Sequence, residues 1–391
     1  MKEGWTYKKL GEVCDYSIGL TYKPTDICDN GTIVLRSSNI QNGQIDLNDI
    51  VRVSCPIKDT LFVNKGDILM CSRNGSARLV GKVAIIPDIK ERMTYGTFMM
   101  IIRSDYNPFL FYYFNSDIFR KQIKHGEANM INQITRYMLD DVVVSLPPLS
   151  DQQRIVSRLD AAFSHIDELK VNAEKRLSEA RALFQKSLAK AMEPKESWSI
   201  DKLVEVFNFI DYRGSTPTKL NEGVPLITAK NVKFGYLDYS IKDFISREEF
   251  ETRKSRGISQ KGDLLFTTEA PLGNVAIADL DEFSAGQRLI TLQKYKHSKY
   301  EFLNEFYYFY MLSSHFQERI KELATGATAQ GIKAKILKTV IVPIPPLTEQ
   351  QRIVERLDAL SVHVRELEEN QKRIISECDA LKQALLRKVF E

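Results

Sequence analysis

Cysteine, histidine and long apolar runs are scarce in this chain, and each scarcity excludes a class of protein. The cysteines, Cys14, Cys28, Cys55, Cys71 and Cys378, are odd in number and contain no C-x-x-C pair. That excludes a disulfide framework or a zinc ribbon and suits free thiols in a reducing cytoplasm. His125, His165, His297, His315 and His363 are scattered, with no pair at metal-ligand spacing, so no metal site is expected. No window approaches eighteen uninterrupted apolar residues, and the opening MKEGWTYKKLGEV is polar where a secretory signal needs an apolar stretch. A cytoplasmic protein with no membrane partner is the expectation. Neither sign of charge dominates: 55 Lys and Arg against 51 Asp and Glu leave +4, which excludes a global polycation. What is present is apolar material, 43% of 391 residues, enough for two cores.

Catalytic signatures are missing as well. Gly75 to Lys82 (GSARLVGK) imitates a phosphate loop, but it has five residues between the glycines where four are needed, and Val83 stands where a magnesium-binding hydroxyl belongs. Asn107-Pro108-Phe109-Leu110 lacks the second proline of an amino-methyltransferase motif and reads as a turn into a helix. No Ser/His/Asp or Cys/His constellation is visible. The expectation is a recognition chain with no catalytic residue and no cofactor of its own.

The strongest positive signal is an internal duplication. LPPLSDQQRIVSRLDA from Leu146 returns as IPPLTEQQRIVERLDA from Ile344, an offset of 198. Weaker echoes at similar offsets link Trp5 to Trp198, Lys65-Gly66-Asp67 to Lys261-Gly262-Asp263, and Gly81 to Gly273. After each Pro-Pro pair a capping box, Ser150 with Gln153 and Thr348 with Gln351, predicts a helix start. The first helix runs to Pro194 and the second to the chain end, roughly 43 residues or about 65 Å each. Ile155, Leu159, Ala162, Ile166, Leu169, Ala173, Ala180 and Leu183 fall on a 4-3 spacing in the first, interrupted by Arg176, as do Ile353, Leu357, Leu360, Val364, Leu367, Ile374, Cys378, Leu381 and Leu385 in the second. That heptad seam predicts that the two helices pack on each other. A second apolar row, Val156, Phe163, Leu177, Phe184 and Leu188, predicts a further contact, with the adjacent domain or with a partner.

Only Lys195-Glu196-Ser197 separates Pro194 from Trp198, so the second helix must run back along the first. The expected fold is α+β: two mixed β-rich globular domains separated by two long antiparallel helices forming a coiled coil, with an internal pseudo-two-fold repeat and Met1 near Glu391. The expected boundaries are a first domain at 1–146, a first spacer helix at 147–194, a second domain at 195–344 and a second spacer helix at 345–391. Short β-branched runs such as GTIVLRSSNI, GDILMCS, VPLITAKNV, GDLLFTT and KTVIVPI supply the strands. FLFYYFNSDIFRKQI and EFLNEFYYFYMLSSHFQERI read as aromatic core helices.

These features together resemble the specificity subunit of a type I restriction-modification system over the full length. The resemblance is carried by the duplicated P-P-L-x-x-Q-Q-R-I-V-x-R-L-D segments (Pro147 to Asp160 and Pro345 to Asp358), by Tyr212-Arg213-Gly214-Ser215-Thr216-Pro217, and by Gly326-Ala327-Thr328-Ala329-Gln330-Gly331-Ile332. The first half departs from it, with Leu20-Thr21-Tyr22-Lys23-Pro24-Thr25 and Gly126-Glu127-Ala128-Asn129-Met130-Ile131-Asn132 at the matching places. The resemblance implies two target recognition domains, each reading one half of a bipartite site in double-stranded DNA. It also implies two methyltransferase subunits carrying S-adenosylmethionine on the helices, and restriction/translocase subunits using ATP and magnesium.

Base reading needs Arg, Lys, Asn or Gln on exposed loops, or an acid facing cytosine. The first half offers Arg36, Ser37, Asn39, Arg73, Asn74 and Arg78; the second offers Arg213, Thr216, Thr228, Lys230, Asn231, Lys233, Thr268, Gln330 and Lys333, with Glu269 as the acid. The same residues also read as a hairpin turn at Asn74-Gly75 and as solvated surface charge. The helix segments 149–193 and 347–391 hold sixteen basic and sixteen acidic residues, so the net +4 belongs to the domains. A coiled-coil scaffold that bridges two proteins without touching DNA is the competing reading from another class.

Overall fold

A computed structural model describes residues 4–124, 133–326 and 330–391. Its contacts form two compact units, Met1–Ala173 with Lys372–Glu391, and Glu174–Gln371. Each unit contains one β-rich domain and a stretch of both long helices.

In the first unit a four-stranded antiparallel sheet runs in the order Asp15–Ile18, Met99–Arg103, Ile68–Cys71, Val83–Ile85. The two central strands are apolar on both faces because each face is covered. Ile68, Met70, Met100 and Ile102 face a cluster of aromatic side chains, and Leu69, Cys71, Met99 and Ile101 face Ile33, Leu35 and Tyr95 of a smaller sheet. That smaller sheet runs Val51–Val53, Ile27–Leu35, Met93–Tyr95, its last pair parallel. The second unit repeats the order: Phe207–Asp211, Leu289–Lys294, Leu264–Thr267, Val275–Ile277, beside Phe244–Ile245, Val224–Ile227, Ser284–Ala285. The strand order therefore carries the duplication further than the sequence echoes do.

Each aromatic segment is two helices. A buried serine breaks it: Ser116 Oγ donates to the Tyr113 carbonyl between Asn107–Phe114 and Asp117–Lys124, and Ser313 Oγ donates to that of Tyr310 between Asn304–Leu312 and Ser314–Leu323, both at 2.6 Å. Pro108 sits in the first turn, where its missing N–H costs nothing. Trp5 packs edge-on against Phe109, and Phe109 against Phe390 at 5.1 Å, so both chain ends enter the first core; Met1 lies outside the described residues.

The long helices span Leu149–Ala191 and Leu347–Phe390. Ser150 and Thr348 lie inside the first turn rather than at the cap. The helix start is fixed instead by Gln152 and Gln350, whose buried amides donate to the carbonyls of Pro147 and Pro345, both at 2.8 Å. A proline carbonyl just before a helix faces no strand partner, and the amide satisfies it.

The two helices run antiparallel within each unit. In the first, Lys382 pairs with Asp167 at 2.5 Å and Lys170 with Asp379 at 2.8 Å, so three steps forward on one helix are three steps back on the other. In the second, Arg181 meets Glu368 at 2.9 Å, while the later Leu188 and Met192 share a core with the earlier Ile353, Val354 and Leu357.

The seam itself differs from the expected one. Leu159, Ile166, Ala173, Ala180 and, opposite, Leu357 and Cys378 are buried, with Ile155, Leu360, Val364 and Leu385 half-buried. The row that alternates with Leu159, Ile166, Ala173 and Ala180 is Val156, Phe163, Lys170, Leu177 and Phe184, one position later than expected, and on the second helix it is Glu368, Ile375 and Lys382. Leu169, Leu183, Leu367 and Leu381 are consequently exposed, Leu169 at 57% and Leu183 at 58%. A 4-3 spacing admits either flanking row; the aromatic one wins because Phe163 and Phe184 also reach their own unit's core, Phe163 edge-on to Tyr112 at 5.3 Å. The second apolar row is thus the seam's own second row.

Candidate nucleic-acid interface

In the second unit, the strands Leu264–Thr267 and Leu289–Lys294 end together. Beyond their ends the chain forms a turn, Gly286-Gln287-Arg288-Leu289, locked by backbone bonds: Gly286 N–H to the Ile227 carbonyl at 2.7 Å, Leu289 N–H to that of Gly286 at 3.1 Å, and Thr268 N–H to that of Arg288 at 3.1 Å. Every bond is main-chain, so the side chains of Gln287 and Arg288 are left for the outside. Thr216 Oγ1 donates to Gln287 Oε1 at 3.1 Å, and Arg288 Nε lies 3.1 Å from Glu269 Oε1. Glu269 bridges to Gly331, next to the exposed Gln330. Thr216, Gln287, Arg288, Glu269 and Gln330 therefore form one surface.

The loop that carries Thr216 is held from beneath. Arg253 is only 4% exposed; its guanidinium stacks over the Tyr212 ring at 4.4 Å and donates to Ser215 O, Ser215 Oγ, Ser284 Oγ and Ala285 O. Gly214, at φ +79°, supplies the left-handed residue the loop needs. Arg213 is tied to Asp211 at 2.6 Å; burial works to raise that carboxyl, but Arg213 outweighs it and holds it below its ordinary range.

The first unit builds the same frame with other side chains. Gly96 N–H donates to the Leu35 carbonyl, Met99 N–H to that of Gly96 and Ser72 N–H to that of Phe98, so Thr97 and Phe98 stand where Gln287 and Arg288 stand. Arg73 bridges to Gln133 as Glu269 does to Gly331, and its guanidinium donates to Gln133 Oε1. Phe98 is 53% exposed beside them. Asn74 donates to Ser37 Oγ at 3.1 Å, and its Oδ1 accepts from Ser76 N–H at 2.9 Å. Asn74-Gly75 is therefore a local side-chain turn in an eleven-residue connection, 72–82. The tight Asn-Gly hairpin is Asn42-Gly43, at φ 51° and 77°.

Three of the residues expected to read bases are internal. Asn39 accepts from Arg36 N–H and donates to the carbonyls of Asp46 and Asp49; Asn231 accepts from Thr228 N–H and donates to those of Asp238 and Ile241. Both are buried turn-holders at matching places, with their amides fully used. Thr268 is buried too, its hydroxyl donating to the Arg288 carbonyl. Thr228 Oγ1 is spent on Asn231. Arg36 is paired with Asp49, and Lys233 with Asp238. Arg78, Lys230 and Lys333 are exposed. Gly126 to Asn132 and Ala327 to Ala329 lie outside the described residues. Gln287, Arg288, Phe98, Gln133 and Arg253 were not singled out from sequence; the signal for the first three was a glycine at the end of an apolar strand in each half, Gly96 and Gly286.

Among the described residues no group of three His, Cys, Asp or Glu side chains is placed to hold a metal ion, and no helix is long and apolar enough to cross a membrane.

Comparison with known proteins identifies the family and the fold. The family model described as the Type I restriction modification DNA specificity domain matches twice, over residues 2–178 and 195–376. The EcoKI type I restriction enzyme specificity subunit of Escherichia coli is 25% identical, the alignment covering 100% of this chain and 89% of that one. The MjaVIII specificity subunit of Methanocaldococcus jannaschii is 22% identical over 77% of this chain and 73% of its own length. Among solved structures, a chain from a study of complex assembly and conformational transition of the type I R-M system superposes with a TM-score of 0.74 at 23% identity, covering 100% of this chain and 98% of its own. The HsdS subunit of Thermoanaerobacter tengcongensis does so with a TM-score of 0.53 at 23% identity, covering 100% and 97%. With two family matches spanning nearly the whole length, the chain belongs to the type I restriction-modification DNA specificity subunits, the non-catalytic component of those systems.

Proposed function

We propose that each β-rich domain reads one half of a bipartite site in double-stranded DNA, and that the long helices set the gap between the halves. One observation carries this reading. The same backbone frame occurs in both units, but it presents Arg73, Gln133, Thr97 and Phe98 in one and Glu269, Gly331, Gln287 and Arg288 in the other. A shared frame with exchanged side chains is what reading two different sequences requires, because the frame positions and the side chains specify.

Docking of two methyltransferase subunits belongs to the same proposal, and the exposed leucines support it. In each unit the cross-helix ion pairs use Asp167 or Arg181, one position after a buried seam residue, and Leu169 and Leu183 lie three positions after one. At 100° per residue those are opposite flanks of the helix. One flank is closed by charge, while the other leaves Leu169 and Leu183 exposed among polar side chains, open to a partner's helices. S-adenosylmethionine would be carried by the methyltransferase, ATP and magnesium by restriction/translocase subunits, and none by this chain. DNA as the target places the work in the cytoplasm.

The test is equilibrium binding of the chain, assembled with its methyltransferase, to DNA selected from a random pool. The expected result is enrichment of two short sequences at a fixed spacing, with affinity falling steeply as salt rises. A bridging scaffold would enrich nothing.

A further inference from the structure

We infer that Arg288 and Glu269 act together as the reader of one G·C base pair in the second half-site. The inference rests on the proposed reading of that domain as a DNA reader and goes beyond it by naming the base pair.

In the major groove a G·C pair presents two acceptors, guanine N7 and O6, and across from them one donor, the cytosine N4 amine. A guanidinium matches the first two and a carboxylate the third. Arg288 and Glu269 offer that set side by side. Nε and Oε1 are 3.1 Å apart, and both side chains are about half exposed, at 55% and 50%. The ion pair engages Nε, and among the described residues the two terminal guanidinium nitrogens have no other partner, so the fork that would face guanine is available.

The surroundings favour a working pair over a decorative one. Arg288 stands on a turn fixed by three main-chain bonds, so its Cα is held without help from its side chain. Glu269 stands opposite Gly331, where a Cβ would come within 3.3 Å of the Glu269 Cβ and 3.8 Å of its Oε2; glycine leaves the carboxylate room to turn. Folding has little use for the pair, since exposed ion pairs contribute little to stability. The first domain holds Phe98 and Arg73 at these two places, with Gln133 in place of the glycine, so it lacks the acid and serves as an internal control.

The experiment uses the chain assembled with its methyltransferase and a duplex pool randomised across both half-sites. Wild type is expected to require G·C at one position of the second half. Arg288→Ala and Glu269→Ala should each relax that same position by roughly ten- to a hundredfold, leaving every other position and the whole first half unchanged. The exchange Glu269→Arg with Arg288→Glu keeps the ion pair and the surface charge, so a purely structural pair would keep its specificity; loss of the G·C preference is expected. Uniform weakening on all sequences, or relaxation at two unrelated positions, overturns the inference while the DNA-reading proposal stands. Absence of any preference within the second half in the wild-type complex overturns both.

Discussion

Gln293 donates its amide to the Asp263 carboxylate at 2.9 Å and to the Ile258 carbonyl at 3.1 Å, taking the place that Arg103 holds in the other domain, where the guanidinium pairs with Asp67 at 2.9 Å and reaches the Phe62 carbonyl. In both domains the aspartate also accepts from the main-chain N–H three residues earlier, at Asn64 and at Gln260. The contacts are the same and the charge is not.

The second aspartate therefore pays for its burial: with only neutral donors to oppose desolvation, the Asp263 carboxyl is pushed up to about 6. A carboxyl raised in the folded state contributes its stability below its ordinary value near 3.8 and loses it as pH rises through 6. The second domain should gain stability from this group as pH falls, by about 1.4 kcal/mol between pH 7.5 and 5 and by about 3 kcal/mol in all once pH is below 3.8. Gln293→Arg should raise stability at pH 7.5 and flatten that dependence. Thermal unfolding at several pH values checks it; an unchanged slope in the variant would refute the assignment.

Exchanging buried for exposed leucines tests the seam. Leu159, 4% exposed, and Leu169, 57% exposed, lie on the same helix, and both were expected to face the second one. Leu159→Ala should cost about 2 to 4 kcal/mol. Leu169→Ala should cost under about 0.5 kcal/mol, and Leu169→Lys should leave denaturant unfolding unchanged while weakening capture of the methyltransferase. A destabilised Leu169 variant would restore the expected seam.

What the sequence disclosed and what it hid separate along a physical line. Repetition, helix length and antiparallel direction follow from spacing and chain connectivity, and Pro147 with Pro148 marked the helix start. The choice between Leu169 and Lys170 as seam residues does not follow from spacing, because both lie within one residue of a valid heptad; the row of Phe163 and Phe184, held by core residues distant in sequence, decides it, and Lys170 then falls beside Asp379. Asn39 and Asn231 look like base readers because asparagine is one, and only the fold shows their amides consumed by turns. Arg288 was invisible for the opposite reason: its surface is assembled from segments around 216, 269, 287 and 331, which no local pattern connects.

Arg253 offers a separation of folding from recognition. Its planar fork serves four acceptor atoms while its face stacks on Tyr212. Lysine keeps the charge but neither the fork nor the stack. Arg253→Lys should cost roughly 2 to 3 kcal/mol and loosen the 212–217 loop, relaxing selectivity in the second half-site alone. Methylated-site sequencing should show the first half unaltered; relaxation of both halves would mean that the substitution damages the protein at large.

The proposed role of the helices as a spacer makes a quantitative demand. Adding seven residues between Ala173 and Ala180, and seven between Gln371 and Cys378, inserts one heptad in each helix, so the buried rows stay in phase and the ion pairs on either side are kept. Each helix lengthens by about 10.5 Å at 1.5 Å per residue, close to three base pairs at about 3.4 Å each. Sequencing of methylated sites in cells carrying the lengthened chain should return the same two half-sites with the gap between them about three base pairs longer. Seven residues added to one helix alone put the two out of step by a full heptad and should abolish methylation. An unaltered gap in the doubly lengthened chain would mean that something other than the helices sets the spacing, most directly the methyltransferase subunits gripping the DNA.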